Sequence, residues 1–74
     1  MLSERIVREL ERELPLLVFR NELGKLIPGL NPRTLANFDA IGLGPKERIL
    51  VGRKVAYTRE SFLEWLRGRI QEAD

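Results

Sequence analysis

The sequence predicts a mainly α-helical domain with one small β-hairpin: a long helix, two short helices joined by a tight turn, the hairpin, and a last helix. Three observations carry this. Apolar residues recur at helical spacing near both ends of the chain. In the middle, Pro28-Gly29 reads as a turn and Asn31-Pro32 as a helix start. Between Ile49 and Tyr57 the apolar period changes from about 3.6 to 2, interrupted at Gly52. With 74 residues, 43% of them apolar and 32% charged, the chain is balanced like a globular domain, not a disordered one. It suffices for one core and leaves no length for a second domain.

Leu2, Ile6, Leu10 and Leu14 fall every fourth residue with Val7 beside them, Ser3 precedes as N-cap, and Pro15 follows. This is an amphipathic helix whose outer face offers the i,i+4 pairs Glu4 with Arg8 and Arg5 with Glu9. Its apolar stripe either packs on the rest of the domain or forms a homodimer contact through residues 1–14. Leu16-Leu17-Val18-Phe19 is a short extended entry. Asn21 is expected to cap a short helix from Glu22 to about Ile27. Asn31 caps the next helix, with proline at its first position, and Gly42 closes it. Ile49 and Val51, then Val55 and Tyr57, alternate as the strands of a hairpin that turns at Gly52. Thr58 caps a last helix with an apolar stripe of Phe62, Leu63, Trp65, Leu66 and Ile70. The resulting division is an accessory helix over 1–15, a domain over 16–70 and a tail over 71–74.

The net charge of +2 is small, but its placement is uneven. Lys46 to Glu60 holds five basic and two acidic residues, while the first fourteen residues hold three basic and four acidic. The positive charge is thus focused on the hairpin. The sequence has no histidine and no cysteine. No disulfide, thiolate metal site or catalytic thiol is expected, and no cofactor. Ser3 and Ser61 sit at helix starts, and no pair of acids stands on an apolar background, so the chain is not expected to be an enzyme. The longest apolar runs, Leu16–Phe19 and Ile49–Val51, are far too short to span a membrane. A cytoplasmic, nucleoid-associated protein is expected.

Three blocks of this sequence resemble one family. Asn31-Pro32-Arg33-Thr34-Leu35 with Phe38 and Gly42 is similar to a recognition-helix motif. Val51-Gly52-Arg53-Lys54-Val55 with Tyr57 is similar to a wing, and Phe62-Leu63-Glu64-Trp65-Leu66 to a closing core helix. Together, in this order over roughly Val18 to Arg69, they resemble the excisionase and AlpA-like small winged helix-turn-helix DNA-binding proteins of the MerR superfamily. Asp39-Ala40-Ile41 departs from the pattern, because relatives commonly carry polar and basic residues there.

The resemblance implies double-stranded DNA as partner. At 100° per residue Arg33, Thr34 and Asn37 share one side of their helix, while Leu35 and Phe38 point away. That leaves Arg33 for guanine, Asn37 for adenine, and Thr34 for a phosphate or a thymine methyl group. Arg53 and Lys54 at the hairpin tip are expected to meet a neighbouring minor groove or the backbone. Asn21, Lys25, Lys46, Arg48 and Arg59 are expected phosphate contacts. Trp65 and Tyr57, in phase with their apolar neighbours, are expected in the core. Within this reading the chain is an excisionase-like recombination directionality factor, a prophage-type transcription regulator, or the DNA-recognition module of a phage packaging protein, with an integrase or another phage protein as partner. The competing reading is a protein-protein adaptor on the same scaffold, with Ile41 as an apolar contact.

Overall fold

The computed structural model describes residues 4–69. Its α-helices are α1 (Glu4–Glu13), α2 (Leu23–Leu26), α3 (Pro32–Ala40) and α4 (Arg59–Arg67). Its strands are β1 (Leu17–Phe19), β2 (Arg48–Val51) and β3 (Lys54–Thr58), and a 3-10 turn over Arg20–Glu22 leads into α2. The three strands form one antiparallel sheet in the order β1-β3-β2. The architecture is therefore a small mixed α/β domain, and the expected hairpin gains a third strand. The entry segment pairs Leu17 with Thr58, Val18 with Tyr57 and Phe19 with Ala56. Leu2, Ser3, Ile70 and the tail lie outside the described residues.

Local chemistry explains most element ends. The Asn31 side chain accepts a hydrogen bond from the Arg33 amide at 2.8 Å, with Pro32 in the first turn of α3. At the other end Leu43 N donates to Phe38 O at 2.8 Å and Gly42 N to Asp39 O at 3.1 Å. This is a Schellman closure, and it places Gly42 at φ 77°, where a side chain would be strained. Thr58 Oγ1 accepts from Ser61 N at 3.2 Å and starts α4. The hairpin turns through Gly52 and Arg53, since Val51 pairs directly with Lys54. Gly52 at φ 66°, followed by a residue with negative φ, is the pattern of a type II′ turn.

Asn21 does not act as a cap. It lies inside the 3-10 turn, and α2 starts after Glu22 without any side-chain cap. Phe19 ends β1 in extended backbone and the chain tightens directly from there, so the helix start falls one residue later than a cap at Asn21 requires.

The core is built from all parts of the described chain. Val18, Leu23, Leu35, Tyr57 and Phe62 are fully buried, joined by Leu14, Leu63 and Leu66. Each large side chain so buried contributes on the order of 1.5–3 kcal/mol relative to exposure. Val7 and Leu14 are buried and Leu10 is packed against the core, with α1 lying on α4. The apolar stripe of α1 is therefore used within the chain, with Ile6 at its margin, 39% exposed. On the outer side Glu4 pairs with Arg67 of α4 at 3.4 Å instead of with Arg8. Tyr57 is in the core as expected. Trp65 is half-buried beside it, its ring edge-on to Phe38 and its Nε1 donating to Leu43 O at 2.9 Å.

Candidate nucleic-acid interface

Helix α3 divides cleanly. Leu35 is fully buried and Phe38 half-buried, whereas Arg33, Thr34 and Asn37 are exposed together on the opposite side. The three expected base-reading residues thus share one open face, set by the cap at Asn31 and the anchor at Leu35.

Asp39 lies elsewhere than the family resemblance implies. It does not offer an acid to the outer face of α3, because its side chain is 4% exposed and points into the domain. Its Oδ2 accepts from Tyr57 Oη at 2.5 Å and from Arg20 Nη1 at 3.1 Å, and Arg48 Nη1 stands 3.8 Å away. One carboxylate therefore links α3 to β3, to the 3-10 turn and to the start of β2. Gly44 makes room for it: a Cβ there would overlap Asp39 Oδ1 and lie 3.0 Å from Cγ. Burial, aided by the bond to Asp39, pushes the Tyr57 hydroxyl up to about 12. It stays a proton donor to the carboxylate throughout the neutral range.

The expected cations divide into groups. Arg53 occupies the hairpin turn and Lys54 the first position of β3, both exposed. Lys46 and Arg48 line one depression of about 310 Å³ with Asp39, Gly42, Gly44 and Pro45, so they lie beside the C-terminal end of α3. Arg48 is half-exposed and held loosely by Asp39. Asn21 and Lys25 are exposed on the 3-10 turn and α2. Arg59 stands apart. Its Nη1 donates to Leu14 O at 3.1 Å and its amide to Leu16 O at 2.9 Å, tying the α1-β1 connection to α4. It lines a groove with Glu11, Glu47 and Glu60, an acidic setting. Among the described residues, Arg33, Lys46, Arg53 and Lys54 enter none of the ion pairs.

Sequence reasoning missed the inward turn of Asp39 and the roles of Arg20 and Gly44. A signal for Asp39 was present, since it follows the buried Leu35 by four residues and so shares its side of the helix. Ile41 extends the outer face of α3 and is 67% exposed.

Among the described residues no group of three His, Cys, Asp or Glu side chains is placed to hold a metal ion. No helix among them is long and apolar enough to cross a membrane. Comparison of the chain with protein-family models, curated proteins and solved structures returns no match.

Proposed function

We propose that the chain is a winged helix-turn-helix domain that binds double-stranded DNA sequence-specifically, with α3 as recognition helix and the β2-β3 hairpin as wing. The observation that carries this reading is the outward face of α3. Its only carboxylate is turned inward and neutralised by Arg20, so the face open to a partner offers a cation, a hydroxyl and an amide. A polyanion meets no repulsive charge there, and Arg33, Thr34 and Asn37 are residue types that hydrogen-bond base edges in the major groove. Lys46 and Arg48 at one end of α3, and Arg53 and Lys54 on the hairpin, supply cations for phosphates. An excisionase-like directionality factor or a prophage-type regulator fits this arrangement, as does the DNA-recognition part of a phage packaging protein.

The test is fluorescence anisotropy at two salt concentrations, using duplexes from the chain's genomic neighbourhood and a random duplex. Wild type binds with an affinity that falls steeply as salt rises. Arg53→Ala/Lys54→Ala lowers the slope of log K against log salt by about one for each phosphate that the wing ceases to neutralise. Arg33→Ala relaxes preference at one base pair by about 1–3 kcal/mol. Absence of binding at low salt rejects the proposal.

The adaptor reading draws on one specific observation. All four residues of β2 are exposed, including Ile49, Leu50 and Val51 along the edge of the sheet. An apolar edge strand is a surface to which another chain can add.

A further inference from the structure

Thr34, Asn37 and Ile41 stand at i, i+3 and i+7 along α3 and its C-cap, a single stripe down the outer face. With Phe38 they line one shallow hollow of about 280 Å³. Its walls are a hydroxyl, an amide, an aromatic ring and a branched aliphatic side chain. Phe38 is held in place from behind, edge-on to Trp65 at 5.6 Å between centroids, with the Arg69 guanidinium 4.4 Å from its ring centre. Ile41 is left open to water, although it directly continues the polar stripe.

In the major groove an A·T pair displays one feature that no other natural pair has, the C5-methyl group of thymine, and apolar side chains recognise it by contact. We propose that Ile41, backed by Phe38, is a specificity-determining residue that receives a thymine methyl group. This rests on the DNA-binding reading above and names the base that the C-terminal end of α3 selects. Seven residues of helix advance about 10.5 Å at about 1.5 Å each. Successive base pairs are about 3.4 Å apart, so for a helix lying along the groove the selected thymine lies about three base pairs from the pair met by Thr34. Asp39 faces inward and does not compete for that position. The hydroxyl and amide at one end and the aliphatic group at the other divide a short site into a hydrogen-bonded part and a methyl-read part.

The experiment uses the full chain and a duplex selected by it from a random pool. Each thymine of that duplex is replaced in turn by deoxyuridine, which keeps every hydrogen-bonding group and removes only the methyl. One replacement is expected to weaken wild-type binding about four-fold, the equivalent of one methyl group returned to water. It falls about three to four base pairs from the position whose preference Arg33→Ala relaxes, since Arg33 lies one residue before Thr34. In Ile41→Ser, a change at an exposed residue that leaves the core untouched, the same replacement is silent. The inference is overturned, with DNA binding intact, if the selected duplex holds no thymine there. It is equally overturned if every deoxyuridine is silent in wild type, or if the loss is the same in Ile41→Ser. If no duplex binds at low salt, the underlying reading and this inference fail together.

Discussion

Asp39 is the residue on which most of the local geometry converges, and its partner Tyr57 makes that contribution measurable. The hydroxyl ionises near 10 in an unfolded chain and about 12 in the folded one. A raised folded value means that the neutral form is favoured by folding. Its contribution to stability is complete below pH 10 and is lost as pH rises from 10 towards 12. Tyr57→Phe removes a donor from a buried carboxylate and is expected to cost about 1–3 kcal/mol at neutral pH. In urea unfolding at pH 8 and pH 11, the advantage of the wild type over the variant shrinks at the higher pH. An unchanged difference between the two proteins contradicts the assignment. Helix phase could have placed Asp39 on the buried side. Its partners could not be read from the sequence, because Arg20 lies 19 residues before it and Tyr57 18 after.

At the scale of elements, α2 is the least determined. It is a single turn of four residues with Gly24 in its interior. A Cβ on Gly24 meets only Leu30 O, at an ordinary 3.8 Å, so neither space nor backbone geometry requires a glycine. Gly24→Ala is expected to stabilise the domain by about 0.5–1 kcal/mol, read as a rise of a few degrees in Tm. A fall in Tm shows instead that the turn needs the freedom of glycine. Elements governed by nearby residues were legible in the sequence. The caps at Asn31 and Thr58 and the turn at Gly52 are each decided within about three residues. Strand β1 was not legible as part of a sheet, because its three residues gain their partners only when Ala56 to Thr58 arrive about forty residues later. The alternation of Ile49 and Val51 marked a strand correctly but not a buried face. An edge strand with no layer packed on it keeps its pattern without its burial.

For the molecule as a whole, the question is whether α1 belongs to the same cooperative unit as the rest. Leu14 is 3% exposed and lies in the cluster with Val18, Leu35 and Phe62, while Arg59 holds its carbonyl. Leu14→Ala is therefore expected to destabilise the entire domain by about 2–5 kcal/mol, a large part of what a small domain has. Helical circular dichroism and Trp65 fluorescence then lose their signals at one shared, lowered denaturant concentration. A helical signal that departs first shows α1 to be an appendage. The candidate site was legible to the extent that it depends on helix phase and on the charge of the hairpin. What remained hidden was the interior wiring that decides which charges on α3 reach its outer side.

That wiring has a consequence for descent. Arg20, Asp39 and Tyr57 sit on three different elements yet satisfy one another, and Gly44 leaves the space they share. Losing the carboxylate strands a buried hydroxyl and a partly buried guanidinium, whereas losing either of those leaves the carboxylate with one partner fewer. Replacing Asp39 by an apolar residue leaves both of its close partners unsatisfied at once. Related chains are expected to keep Asp39 together with its partners, whereas Arg33, Asn37 and Ile41, exposed and outside this set, are less constrained by the fold.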